Sequence, residues 1–229
     1  MVKDSEKRRI MRSVAQEAEE VRIKGLLQVE ESLWREGFLL VAGLDEAGRG
    51  PLAGPVFAAA CVLPARFQLP GLNDSKLLNA GKREALFPLI QEQALAWAVA
   101  EASVAEIDSL NILQATKLAM VRAVNALRVK PHYLLIDALE LPLALPQRAL
   151  IGGDRLSASI AAASILAKVE RDKLMERLDA LYPGYGFVRH KGYGTREHLQ
   201  ALQDLGPCPA HRRSFAPVRT RAGGKTEFI

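Results

Sequence analysis

Between residues 39 and 63 the chain reads LLVAGLDEAGRGPLAGPVFAAACVL, and this stretch restricts the possible folds more than any other. An apolar run ends in two adjacent carboxylates, Asp45 and Glu46. A loop with glycines and two prolines follows, and a second apolar run closes the segment. The pattern reads as strand, tight loop, strand, with strands near Leu39–Asp45 and Val56–Leu63 and the acids where the first strand leaves the sheet. Burying carboxylates beside apolar strands is costly unless something cationic meets them. Taken alone, the stretch is equally a solvated acidic turn or an acidic site. The spaced set Gly43, Gly48, Gly50 and Gly54 exceeds what a solvated turn requires.

The chain has 229 residues, 49% of them apolar and 25% charged, enough to bury one full core. A net charge of +5 permits a polyanionic partner without requiring one. The 2 cysteines point to a reduced compartment rather than a disulfide scaffold. Cys61 reads as a small core residue, and Cys208-x-x-His211 lacks the second ligand pair a zinc site needs. No apolar segment approaches the length of a membrane span, and no apolar stretch follows Lys7, Arg8 and Arg9 as in a secretory signal. The expectation is a cytoplasmic protein that does not enter a membrane.

Along the chain, residues 1–12 are expected to fray, and an amphipathic helix is expected from Val14 to Arg35, ended by Gly37 and packed through Leu33 and Trp34. After the two strands, Asn73-Asp74-Ser75-Lys76 leads into a helix over about residues 79–93, with a kink expected at Pro88. Residues 94–104 read as a third strand. Asn111 can cap a helix running to about Leu127. Tyr133–Ile136 is an unbroken apolar run, as in a buried, parallel strand, and it ends at Asp137. A fifth short strand near residues 149–151 runs into Gly152-Gly153-Asp154. Ser157–Leu181 is a long helix whose first half is nearly all small or apolar, so it should lie deep against a sheet. Pro183-Gly184 stops it. The remainder is basic, with a short helix over about residues 195–205.

Three acidic positions thus follow apolar runs: the Asp45-Glu46 pair, Asp137 and Asp154. In an open α/β sheet, functional groups collect beyond strand ends. Neighbours in a strand point to opposite faces, so both acids of the pair can face one site only if Glu46 already lies in the loop. Four carboxylates in one pocket repel unless cations intervene, and all-oxygen ligands suit Mg²⁺ or Mn²⁺ rather than zinc. Two such ions about 3.5–4 Å apart can clamp the attacking and leaving oxygens of a phosphodiester. Asp154 has a second possible role, capping the helix that begins near Ser157.

The motifs GLDEAGRGPLAGPV, NDSK, LNILQAT, LLIDAL, GDRLSASIAAASILAKV, YPGYGFVRHKGYGT and HRRSF occur in that order over residues 39–217. Together they resemble bacterial ribonuclease HII. The resemblance implies an α/β ribonuclease H-like fold, a mixed central sheet flanked by helices with a small helical C-terminal part. It divides the chain into an N-terminal extension (1–37), a catalytic domain (38–185) and a basic helical C-terminal region and tail (186–229). The implied substrate is RNA–DNA hybrid, or duplex DNA containing single ribonucleotides, cut on the 5′ side of the ribonucleotide to leave 3′-hydroxyl and 5′-phosphate ends. The family's metal-binding acids fall on Asp45, Glu46, Asp137 and Asp154, for Mn²⁺ or Mg²⁺, with two ions when substrate is bound. Its Gly-Arg-Gly loop falls on Gly48-Arg49-Gly50, which would hold the ribose 2′-hydroxyl. Its sugar-stacking tyrosine falls on Tyr193.

Lys76, Arg49, Lys191 and Arg196 are candidate phosphate contacts. Ser164 and Lys168 either support the site or merely pack. His190 and His198 read as structural. Arg212 and Arg213 either touch duplex phosphates or are solvated surface. The chain departs from the family at Gly152, where lysine is common, and at Ala138, where glycine is common. Its end, Glu227-Phe228-Ile229, lacks a sliding-clamp motif, and the expected state is a monomer. The rival readings are a metal nuclease on the same scaffold with another nucleic-acid target, and a non-catalytic hybrid-binding module.

Overall fold

In a computed structural model, which describes residues 16–222, the two apolar runs of residues 39–63 pair antiparallel. Strands β1 (Val41–Ala47) and β2 (Val56–Val62) run in register from Ala42 opposite Val62 to Ala47 opposite Phe57. Strand β3 (Ala96–Ala102) adds antiparallel to β2. On the other side β4 (Tyr133–Asp137) runs parallel to β1, and β5 (Gln147–Leu150) parallel to β4. The sheet is therefore mixed, in the order β3-β2-β1-β4-β5.

The helices follow in chain order: α1 (residues 16–26), α2 (Gln28–Arg35), α3 (Ala80–Gln93), α4 (Val104–Leu110), α5 (Ile112–Asn125), α6 (Ala158–Leu181), α7 (Phe187–His190), α8 (Arg196–Leu205) and α9 (Ala216–Ala222). Ala42, Leu44, Leu134 and Ile136 pack with Ala115, Ala119 and Met120 of α5 on one face. On the other face Ala59 and Cys61 pack with the alanine-rich start of α6. That helix lies so close that a Cβ on Gly43 would fall 2.1 Å from the carbonyl carbon of Ser159. Small residues on both partners permit the approach. Ile160, Ile165 and Leu166 then pack the start of the helix against its surroundings, each fully buried side chain contributing about 1.5–3 kcal/mol.

The expected N-terminal helix is broken by a turn at Leu27, two residues after Gly25, and Val14 lies outside the described residues, as does the segment 1–12. Leu33 and Trp34 pack as expected, against Val41, Leu135 and Ile160. Glu30 of α2 is buried and reaches the start of α6, where its Oε1 accepts from the Ser157 hydroxyl at 2.6 Å, from the Ser159 amide at 3.0 Å and from the Ser159 hydroxyl. A carboxylate at that helix end also favours the helix dipole.

Helix α4 begins where the sequence pattern still reads as strand, and Ser103 and Glu106 form the reciprocal capping box that starts it. Helix α3 continues through Pro88. Ser157, not Asp154, caps α6, its side chain accepting from the Ile160 amide. No helix among the described residues is long and apolar enough to cross a membrane.

Candidate active site

The acids meet where β1 and β4 end. The last parallel pair is Leu44 with Ile136, so Asp45 and Asp137 come next, side by side on the face turned to α6. Asp45 is buried, and its Oδ1 accepts from the Glu46 amide at 2.7 Å. Asp137 accepts from the Gly153 amide at 2.8 Å, which ties β4 to the short 3₁₀ turn Gly153–Arg155 that carries Asp154. With Ser157 as the cap of α6, the Asp154 side chain is left for the site.

Glu46 corrects the sequence expectation. It does not lie in the loop but stays in β1, opposite Ala58. Alternation therefore starts its side chain on the other face from Asp45, and its length at the strand end lets it come under the influence of Asp137. Arg49 stands beside it, with Nη1 3.6 Å from Oε1, while Oε2 is buried with no hydrogen-bond partner among the described residues.

Electrostatics record the crowding. Burial, then the charges of Glu46 and Asp137, push the Asp45 carboxyl well above its ordinary range. Burial also raises Glu46, with Arg49 opposing and Asp137 reinforcing the shift. Asp154 is pushed up to about 6, by burial and by the Asp74 carboxyl hydrogen-bonded to it. Asp74 is thus a fifth acid at the site, which the sequence showed only as part of a helix approach. Lys76 reaches in from the same loop, 3.8 Å from Asp154. Burial works against its charge, but Asp45, Asp154, Asp74 and Asp137 outweigh it and raise its pKa.

The glycine loop lies alongside. Gly48 has φ +99°, and a Cβ there would fall 2.0 Å from Arg171 Nε. A Cβ on Gly50 would lie 3.5 Å from Tyr193 Cε1, so the tyrosine ring flanks the loop while remaining 46% exposed. The two segments are joined by backbone, the Leu52 amide donating to the Gly192 carbonyl at 2.8 Å.

Comparison with known proteins places the chain in a family. The family model described as Ribonuclease HII matches residues 42–218. The chain belongs to the ribonuclease HII family. A ribonuclease HII from Desulfitobacterium hafniense (strain Y51) is 68% identical over 199 residues, covering 86% of this chain and 76% of that protein. One from Enterococcus faecalis is 55% identical over 208 residues, 91% of this chain and 82% of that one. The crystal structure of ribonuclease H2 from Pyrococcus horikoshii OT3 superposes with a TM-score of 0.67 at 28% identity, covering 80% of this chain and 97% of that one. The protein is an enzyme of the ribonuclease class, on a ribonuclease H-like fold.

The remaining candidates sort themselves by position. Lys191 pairs with Glu176 at 2.9 Å, and Arg196 opens α8 beside Gly184 and Asp204 rather than at the acids. Lys168 pairs with Asp172 at 2.6 Å and the Ser164 hydroxyl donates to the Ala161 carbonyl, so both are packing residues of α6. At the two departures from the ribonuclease HII pattern the backbone is left-handed. Ala138 has φ +52°, and Gly152 has φ +68° with the Arg155 guanidinium 2.9 Å from where a Cβ would stand. A basic group thus overlies the position where the family's lysine is missing.

Arg212 corrects the sequence reading outright, being neither a phosphate contact nor solvated. It is fully buried, and donates to the carbonyls of Gly48 at 2.6 Å, Arg49 at 3.0 Å, Pro51 at 2.7 Å and Gly54 at 2.8 Å. Arg213 is exposed, its amide held by Asp108. His190 and His198 are structural, as expected. His190 Nδ1 accepts from the Gly192 amide, and His198 bonds the Tyr193 carbonyl and His211, which contacts Cys208. Burial holds all three histidines below their ordinary pKa, His211 at about 4, so they are neutral.

The donor set is all oxygen, and the buried, unpartnered Glu46 Oε2 beside carboxyls that resist ionising suits a hard divalent cation. Among the described residues no three acids are gathered closely enough to form a ready-made metal site. Asp45 and Asp137 each spend an oxygen on a backbone amide, and Lys76 lies among them.

Proposed function

We propose that the protein hydrolyses RNA in RNA–DNA hybrids and cuts duplex DNA on the 5′ side of single embedded ribonucleotides. Asp45, Glu46, Asp137 and Asp154 are its metal-binding acids, and Gly48-Arg49-Gly50 with Tyr193 reads the sugar. The observation that carries this reading is a glycine loop that follows directly on Asp45 and Glu46, at the strand end shared with Asp137, and that has the exposed Tyr193 ring on its flank. Divalent ions, Mn²⁺ or Mg²⁺, would supply charge neutralisation at the phosphate and activation of water.

The chain's own contribution is organisation. Asp137 is pinned by Gly153 and Asp45 by its own strand, so two carboxylates hold position without a ligand. Gly48 and Gly50 keep Cβ atoms out of the path of a ribose, whose 2′-hydroxyl can both donate and accept. Tyr193 offers a ring face that suits the deoxyribose on the far side of an RNA–DNA junction. Phosphodiester hydrolysis adds water at phosphorus, expels the 3′-oxygen and leaves a 5′-phosphate.

The test is a substrate panel, run in Mg²⁺ and in Mn²⁺: a duplex with one ribonucleotide, an RNA–DNA hybrid, an all-DNA duplex and an all-RNA duplex. Cleavage confined to the first two is expected. Equal cleavage of all four would indicate a general nuclease on this scaffold, and hybrid binding without cleavage in either metal would indicate a binding module.

A further inference from the structure

Two buried guanidiniums lie beneath the glycine loop with no carboxylate ion pair among the described residues. Arg212 donates to the carbonyls of Gly48, Arg49, Pro51 and Gly54. From the other side Arg171 Nη2 donates to Ala53 at 3.1 Å, Nη1 to Lys191 at 3.1 Å, and Nε to Pro55 at 3.4 Å. Between them they draw in carbonyls along residues 48–55 and tie that loop to the Tyr193 loop.

The inward carbonyls dictate where the amides go. In a trans peptide unit the C=O and N–H point in opposite directions. With the Gly48 and Arg49 carbonyls held by Arg212, the amides of Arg49 and Gly50 face away from it. The Leu52 and Gly54 amides are used internally, by Gly192 and Ala210. Those of Arg49 and Gly50 have no hydrogen-bond partner among the described residues, and they belong to the stretch that flanks Tyr193.

Buried cations without anionic partners are expensive, and a purely structural post could be built from neutral donors. Burial, with Arg171 nearby, lowers Arg212 to about 9, and burial lowers Arg171 to about 10, so both stay charged at neutral pH.

We propose that Arg212, supported by Arg171, is a positioning residue for substrate recognition. It fixes the loop with the Arg49 and Gly50 amides outward and keeps it electropositive, so that the loop binds a ribonucleotide's 2′-hydroxyl and the adjoining phosphate. This deepens the functional reading above and rests on it.

The experiment measures binding, without divalent metal, of two duplexes of one sequence that differ only in a single ribonucleotide. Wild type, Arg212→Lys and Arg212→Gln are compared, with thermal unfolding as the control for folding. A wild-type protein that binds both duplexes equally, and that cleaves neither once Mn²⁺ or Mg²⁺ is added, would defeat the functional reading itself; equal metal-free binding together with cleavage of the ribonucleotide duplex alone in metal would overturn the positioning proposal and leave that reading standing. Given a wild-type preference, Arg212→Lys should keep affinity for all-DNA duplex, because it keeps the charge, yet lose the ribonucleotide preference about tenfold, because one ammonium cannot hold four carbonyls. Arg212→Gln should lose the preference and also bind all-DNA duplex several-fold more weakly. General destabilisation would lower both affinities in proportion and leave their ratio alone. A folded Arg212→Lys with the wild-type ratio overturns the positioning role, and a folded Arg212→Gln with wild-type all-DNA affinity overturns the electrostatic one. Should neither variant fold, Arg171→Lys is read the same way: a several-fold fall in the ratio is expected, and an unchanged ratio overturns the proposal.

Discussion

The Lys76 ammonium stands 3.8 Å from the Asp154 carboxylate, although the two come from different sides of the sheet end, one from the loop after β2 and the other from the turn after β5. The lysine is mostly exposed and the aspartate buried, so the cation is the mobile partner. Without metal it offsets part of the repulsion among the acids. On the proposed function, a divalent ion neutralising the acids would free the same ammonium to meet a phosphate.

Lys76→Gln should therefore have two separable effects. The metal-free protein should unfold at a lower temperature at about pH 8, where the acids are most ionised. Duplex binding should weaken across sequences, with the salt slope reduced by about one. Titrating binding against salt checks it, and an unchanged slope would confine Lys76 to the acids.

Asp154 links stability to pH. Its folded pKa, about 6, lies above the ordinary value of 3.8. In the metal-free protein its contribution is thus fully present below about 3.8 and lost as pH rises through about 6. Asp154→Asn, which cannot ionise, should raise the unfolding temperature by a few degrees at about pH 8 and by little at about pH 4. His211, held at about 4, titrates in both proteins and cancels in the difference. If Asp154 is a metal ligand, as proposed, adding Mn²⁺ at pH 8 should reverse the order, because the ion then stabilises the wild type more.

Asp137→Asn should abolish cleavage, a larger loss than the ~100-fold that an outer-shell partner of a metal costs. Its stability without metal should be unchanged or slightly improved. The amide oxygen can still accept from Gly153, while the repulsion with Asp45 and Glu46 disappears. A clear drop in metal-free unfolding temperature would make Asp137 structural.

Tyr193→Ala should reduce selection of the single-ribonucleotide junction about tenfold or more, on the scale of a lost stacking contact. The ring is half exposed, so metal-induced stabilisation should stay close to wild type. Junction preference measured against uniform hybrid decides the matter.

Gly43→Ala tests the closeness of α6. Its Cβ would meet backbone atoms of Ser159 and Ile160 at 2.1 and 2.3 Å, and neither can rotate away. A loss of roughly 3 kcal/mol or more is expected in chemical denaturation. Because α6 follows directly on Asp154, activity should fall even in whatever fraction remains folded.

Much of this protein is legible in local pattern. Apolar runs set β1, β2 and β4, Asn111 and Ser157 announce their helices, and the alanine-rich start of α6 predicts its depth, because each signal lies within a few residues of what it specifies. Where the structure differs from the local pattern, the deciding interaction is distant or two local signals compete. The capping box of Ser103 and Glu106 starts α4, while the weak alternation of residues 94–104 extends the strand pattern across it. Alternation alone puts Glu46 in the loop, because it does not include the reach of a strand-end side chain into a neighbouring strand's field. Asp74 read as part of a helix approach because nothing local links it to Asp154.

The sequence by itself determined the strand ends that carry Asp45, Asp137 and Asp154, the glycines that open the loop, and through its ordered motifs the family. Tertiary structure alone decided that Arg212, in what reads as a basic tail, lies buried with its guanidinium against four loop carbonyls more than 150 residues away. The reason is physical. A strand or helix is dictated by neighbours along the chain, whereas the burial of a charge depends on which dipoles the finished fold gathers around it.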